Sequence, residues 1–345
     1  MRSLESAYSF LEREYRKAWS GTEAAKPKFD PANFGIALGA LELAPPIATI
    51  SEVAPHILAA EPQDMALWPT LFKTFPDWHW GIQPTGDCCR WGEQHILDVL
   101  LSVLEHNQKI AHPDRQVAGE SIYALAKHEL YDEYGYDGDG STGWAVCTAA
   151  MKFGMLLRRL YEAGGKTYDL RHDHWPGGDH ENYWSYIWGD LDRGREGLPK
   201  ALEAIAAEHK AVDRVKVTTP EQAGKLIQAG YPSLYCGYTY WAYQRGSDGI
   251  GTRFSAGSHC MAATGVLWDS GGLVKALWIG NTGHGAHVAG SVGPIPVPAV
   301  YAACGGWVPR RLLTSVYGAG DCFAHTMVEG WPLMDLVDWH TEQYL

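Results

Sequence analysis

Chemistry in this chain is most readily assembled from a cysteine at the start of a helix and a histidine delivered from a distant strand. Gly86-Asp87-Cys88 runs directly into an apolar helical stretch. A thiol placed there gains from the free backbone N–H groups and from the positive end of the helix dipole, both of which favour the thiolate. An unperturbed cysteine, with a pKa of about 8.5, is only a few per cent ionised near neutrality; pairing with an imidazolium lowers that value by several units. Gln83, just upstream, can offer a side-chain amide to a developing oxyanion. Asp87 works in two directions. As an N-cap it stabilises the helix, whereas a carboxylate turned toward the sulfur would oppose the thiolate. Cys89 is a rival nucleophile, because the sequence does not set which of two adjacent thiols faces the base.

The base comes from far downstream. Ser258-His259-Cys260 opens one apolar strand and Ile279-Gly280-Asn281 closes the next. Two adjacent strands with a short connection put His259 and Asn281 side by side. The Asn oxygen then holds the proton of one ring nitrogen and leaves the other nitrogen for a thiol. Cys88, His259, Asn281 and Gln83 together are the equipment of acyl transfer to water, most simply peptide or amide hydrolysis through an acyl-thiol. Each also has a plainer reading: a buried helix-start cysteine, a satisfied core histidine, a turn asparagine.

The elements that must hold these groups follow from periodicity. Cys88 to Asn107 carries Ile96, Leu97, Leu100, Leu101, Val103 and Leu104 on one broad face and reads as a buried helix. Glu120–Leu130 and Gly143–Ala163 read as further helices, Arg171–Arg195 as a long loop, and Leu198–His209 and Pro220–Ala229 as helices again. Ser233–Tyr243, Ser258–Trp268 and Leu273–Ile279 read as strands. Helices first and strands second is the α+β pattern, a helical half packed on an antiparallel sheet or barrel half. Ahead of this, Leu4–Trp19 shows a helical stripe, and Lys26 to about Pro62 reads as an extended Pro- and Ala-rich arm, equally a pro-segment, an assembly arm or part of the domain. The expected division is an N-terminal helix and arm over 1–75, then one domain over 76–345, with a helical lobe at about 76–215 and a sheet lobe at about 216–345.

Composition narrows the function classes. A formal net charge of −12 with no basic stripe excludes a general nucleic-acid binder. No stretch of about 18 apolar residues is present to span a membrane. The first residues lack the basic and apolar regions of a secretory signal, and seven cysteines without framework spacing suit reduced thiols in a cytoplasmic setting. No cofactor is expected. His172, Asp173, His174, Asp179 and His180 match no defined metal spacing, and Asp137-Gly138-Asp139-Gly140 lacks the glutamate of a calcium loop. The 15 Trp and 18 Tyr point to a ring-lined groove or partner surface.

In order and spacing these motifs resemble the papain-like cysteine peptidases over roughly Asp77 to Gly285. Asp77-Trp78, Gln83 and Gly86-Asp87-Cys88 are similar to that family's run from Asp-Trp through the oxyanion Gln to Gly-Ser-Cys. Gly138-Asp139-Gly140-Ser141-Thr142-Gly143-Trp144 resembles its cleft-lining loop and Trp, and Pro220–Tyr235 resembles the helix and strand that lead into its second lobe. The resemblance implies a two-lobed papain-like fold, Cys88 as nucleophile, His259 as base, Asn281 as orienting group, Gln83 at the oxyanion, and Gly140, Ser141 and Trp144 against a peptide or protein substrate. Three departures stand out. Cys89 replaces a bulky residue, no disulfide is evident near the nucleophile, and Asn281-Thr282-Gly283-His284-Gly285 lacks the Trp that shields the His–Asn bond. Asp321-Cys322-Phe323-Ala324 and Glu329-Gly330-Trp331-Pro332 are similar to bacterial and bacteriophage members, some of which accompany virion genes. That implies an alternative: a virion or assembly protein on the same fold, with weak activity or none, whose N-terminal arm binds neighbouring subunits.

Overall fold

The central helix forms where its sequence demands. Asp87 precedes it, its inward residues are Leu, Ile and Val, and it runs over Cys88–Gln108. In the computed structural model, residues 50, 54–78, 83, 86–108, 116–130, 140–171, 184–189, 197–281, 288–319 and 321–328 are described. The Leu4–Trp19 stripe, the arm through residue 49, residues 138–139, the 172–180 histidine cluster, residues 282–285 and residues 329–332 lie outside them. In chain order the first elements are α1 (Pro55–Ala59), β1 (Met65–Ala66), α2 (Trp68–Thr74), α3 (Cys88–Gln108), β2 (Val117–Ala118) and α4 (Gly119–Leu125), which continues as a π-helical turn to Leu130. Then come α5 (Gly143–Lys152), β3 (Leu156–Leu157), β4 (Leu160–Ala163), β5 (Lys166–Asp169), α6 (Trp184–Gly189), α7 (Lys200–Ala206), β6 (Ala211–Lys216) and α8 (Pro220–Gln228). The remainder is β7 (Ser233–Arg245), β8 (Gly251–Trp268), β9 (Val274–Gly280), α9 (Ala299–Ala302), β10 (Gly305–Pro309), α10 (Arg310–Ala319) and β11 (Phe323–Val328).

This is an α+β fold, with its largest sheet antiparallel. β7, β8, β9 and β10 pair in sequence, and β1 pairs with β8 beyond the end of β7, on the edge opposite β9. The long β7–β8 hairpin pairs Cys236 with Cys260 and Gly237 with His259. β9 pairs Gly280 with Ala262, so Asn281 emerges beside the His259 end of β8. Helix α3 lies against this sheet and buries Leu97, Leu100, Leu101 and Leu104. Gly92 permits the approach: a Cβ there would stand 2.9 Å from Leu234 Cδ1 and 3.3 Å from the Cys260 sulfur.

Several expectations are corrected. The helix expected over Gly143–Ala163 stops at Lys152 because Gly154 adopts φ +92°, and its last residues instead form the β4–β5 hairpin, which turns at Gly164 and Gly165, both at positive φ. Within the expected 171–195 loop, Trp184–Gly189 is helical, and the rings of Trp184 and Trp188 stack with centroids 4.7 Å apart. The end of the supposed arm is no surface strap. Met65 pairs with Val266, and fully buried Trp68 packs against Trp278, Tyr301 and Trp307. Finally, β11 returns from the end of the described chain to pair with β6. Among the described residues no helix is long and apolar enough to cross a membrane.

Candidate active site

Helix α3 begins on a buried charge network that fixes Cys88 and Cys89. Asp87 and Arg90 are both fully buried, with Arg90 Nε donating to Asp87 Oδ2 at 3.0 Å. Arg90 also reaches Gln94 Oε1 at 2.8 Å and stands 3.8 Å from Glu120, which in turn pairs with Arg158 at 2.9 Å. The Asp87 carboxylate is thus matched by a guanidinium. That resolves the conflict posed by its place beside the nucleophile, because its charge is balanced within the same helical turn.

The two adjacent thiols part company. Cys88 is partly exposed and Cys89 is buried, with its sulfur 3.0 Å from the Ser141 carbonyl oxygen and 3.8 Å from the Cys236 sulfur. The Cys88 thiol is lowered to about 6: the Cys89 thiol acts first in that direction, the imidazole of His259 and its charge add to it, and burial opposes both. Cys89 is pushed well upward, first by hydrogen bonds to Cys236, Cys260 and Cys88, then by burial. Of the pair, Cys88 is the more accessible sulfur and the one drawn downward, while Cys89 is pushed up.

His259 Nε2 donates to Asn281 Oδ1 at 2.6 Å, which leaves Nδ1 as the nitrogen available to Cys88. Burial works to lower the His259 pKa, but the hydrogen bond and charge of Cys88 and the hydrogen bond to Asn281 outweigh it, and the net shift is upward. Asn281 is itself held by its backbone N–H, which donates to the Cys304 carbonyl at 2.8 Å. The Trp missing after Asn281 has a counterpart elsewhere. Trp241 of β7 stands edge-on to the His259 ring, centroids 5.2 Å apart at 65°, and lines a small pocket together with Asn281. Nothing in the sequence pattern around Asn281 points to Trp241.

Gln83 is buried ahead of α3. The 140–144 segment lies against the thiols through the Ser141 contact to Cys89, and Gly140 and Ser141 are both partly exposed. Trp144, read from sequence as lining the groove, is instead 3% exposed and belongs to the core. Its role is to anchor this segment: the Gly143 and Trp144 N–H groups both donate to the Asp321 carboxylate at 2.9 Å. Asp321, singled out in sequence only by a faint resemblance, thus caps the start of α5.

Among the solved structures to which the chain is similar are cysteine proteases. They include xylellain, a cysteine protease from Xylella fastidiosa, at 13% identity and TM-score 0.49, covering 78% of this chain and 88% of that one. Procathepsin B S9 from Trypanosoma congolense is similar at 8% identity and TM-score 0.49, covering 81% of this chain and 82% of that one. The bromelain protease from Ananas comosus is similar at 12% identity and TM-score 0.36, covering 76% and 97%. No protein-family model and no curated protein matches the chain.

Proposed function

We propose that this chain is a papain-like cysteine hydrolase that cleaves peptide or amide bonds through an acyl-thiol on Cys88. The observation that carries this reading is the 2.6 Å hydrogen bond from His259 Nε2 to Asn281 Oδ1, with His259 near enough to Cys88 that the thiol is lowered to about 6 and the imidazole raised. The Cys88 thiolate attacks the carbonyl carbon, and the oxyanion is met by the Gln83 amide and the Cys88 backbone N–H. His259, as imidazolium, gives its proton to the leaving amine as the C–N bond breaks. Water then attacks the thioester while His259 takes its proton, and collapse of the second tetrahedral species releases the acid and restores the thiolate. The helical half, about 76–215, supplies Cys88 and Gln83; the sheet half, about 216–345, supplies His259 and Asn281. The peptide lies between them along Gly140 and Ser141.

The alternative, an assembly or virion protein with a decayed site, rests on the missing shield over the His–Asn bond, the long N-terminal arm, the aromatic excess and the resemblance to bacteriophage members. The Trp241 contact with His259 favours the catalytic reading instead. The deciding experiment compares the parent and Cys88→Ala on a panel of fluorogenic peptide amides and an unfolded protein substrate. The expected result is hydrolysis by the parent and a loss of about a thousandfold or more in the variant, with its circular dichroism unchanged. Equal rates in the two proteins would overturn the assignment.

A further inference from the structure

Beneath Cys88 lies a group of sulfurs that the hydrolytic chemistry leaves mostly unused. Cys89 of α3, Cys236 of β7 and Cys260 of β8 are all buried, and their sulfur atoms lie within 4.8 Å of one another. Three elements converge to make this cluster. Register sets Cys236 opposite Cys260 on the β7–β8 hairpin, and Gly92 brings α3 close enough for Cys89 to face both. Zinc–thiolate bonds are about 2.3 Å long, so two sulfurs on one tetrahedral ion stand about 3.8 Å apart. The Cys89–Cys236 separation is 3.8 Å.

From this geometry we infer that Cys89, Cys236 and Cys260 form a binding site for a thiophilic d10 cation of the zinc class, separate from the Cys88–His259 pair. Softness of the donors selects the ion: three thiolates favour zinc or cadmium over magnesium or calcium. Binding exchanges the thiol protons for the cation and releases them to solvent. Cys88, next in sequence to Cys89, is partly exposed and gives the cluster a short route from solvent. A second buried group, Glu93, Cys147 and His325, is a poorer candidate. Glu93 already bonds both partners, at 2.5 Å to His325 and 3.2 Å to Cys147, and an ion would have to break those contacts.

The test uses the full chain carrying Cys88→Ser, reduced and stripped of metal, so that the nucleophile and its base cannot hold the ion. Cadmium is titrated in and the near-ultraviolet sulfur-to-cadmium charge-transfer band is followed, independently of any hydrolysis. One cadmium per chain is expected, displaced by zinc. Adding Cys236→Ser is expected to weaken binding beyond the ~10–100-fold that loss of an outer partner costs, while adding Cys304→Ser leaves it unchanged. Alkylation mapping of the Cys88→Ser protein, which needs no core variant to fold, should find Cys89, Cys236 and Cys260 protected together by cadmium. Absence of the band, an unchanged affinity in folded Cys236→Ser, or protection confined to other cysteines would each overturn the site.

Discussion

Trp241 reaches His259 diagonally across two paired strands: its own partner is Ser255, whereas His259 lies opposite Gly237. Gly257 lies beneath the far edge of the indole, where an added Cβ would stand at 3.7 Å, and Gly237 on the facing strand adopts φ +132°. If the indole screens the His259–Asn281 hydrogen bond from water, removing it weakens the pair. Trp241→Ala is therefore expected to lower kcat/KM by about tenfold, the kinetic equivalent of roughly one net hydrogen bond, and to bring the alkaline limb of its pH profile downward. Trp241→Phe, which keeps a ring, should recover most of the loss. A profile identical to the parent in the alanine variant would show that the ring does not protect the pair.

The contrast between adjacent thiols gives a chemical prediction. Brief treatment with iodoacetamide at pH 7 should modify Cys88 and spare Cys89, because only Cys88 is both partly exposed and lowered to about 6, while Cys89 is buried and pushed upward. Peptide mass mapping distinguishes the two. Comparable labelling at both positions, or preference for Cys89, would mean that the register of the helix start is other than described.

The proposed site is legible in sequence because each of its parts is local. A cysteine at the start of an apolar run, and a histidine and an asparagine on strands separated by one connection, are set by patterns a few residues long. The choice between Cys88 and Cys89 was not legible, because it depends on the packing of α3 against Ser141, Cys236 and Cys260 from three other segments. Trp241 escaped notice for the same reason: its contact depends on the hairpin register. In the fold, the run after Lys152 is apolar enough to extend a helix by pattern, and only the backbone of Gly154, whose Cβ would meet the Ala206 carbonyl at 2.0 Å, stops it. The pairing of β11 with β6 joins residues more than a hundred positions apart and leaves no short-range signature.

Trp68 tests whether the end of the N-terminal region belongs to the folded body. Its ring is fully buried against Trp278, Tyr301 and Trp307, and its Nε1–H donates to the Pro296 carbonyl at 2.8 Å. Trp68→Ala should cost about 3–5 kcal/mol in urea-unfolding free energy, as expected for truncating a large core ring. A chain shortened to begin near residue 76 should fail to fold cooperatively. If Trp68→Ala unfolds at the parent's urea midpoint, or the shortened chain melts like the parent, this segment is a detachable arm after all.

Cys89 should set the acid side of the pH dependence. Its thiol is the leading influence holding the Cys88 thiol at about 6 instead of 9.0, and His259 acts in the same direction. As pH rises through about 6, Cys88 gives up its proton while His259, raised above its ordinary 6.5, keeps its own. The thiolate–imidazolium pair is thus populated from about 6 to the raised limit of His259, and kcat/KM is expected to trace a bell with its acid limb near 6. Both limbs belong to the coupled pair rather than to either residue alone. Cys89→Ala removes the neighbouring thiol, so the acid limb should move upward toward 9.0; Cys89→Ser, which keeps a small polar group there, should move it less. The rate of Cys88 alkylation against pH, measured on metal-free protein, reads the same limb without requiring a substrate. An acid limb that stays near 6 in Cys89→Ala would mean that His259 alone holds the thiolate.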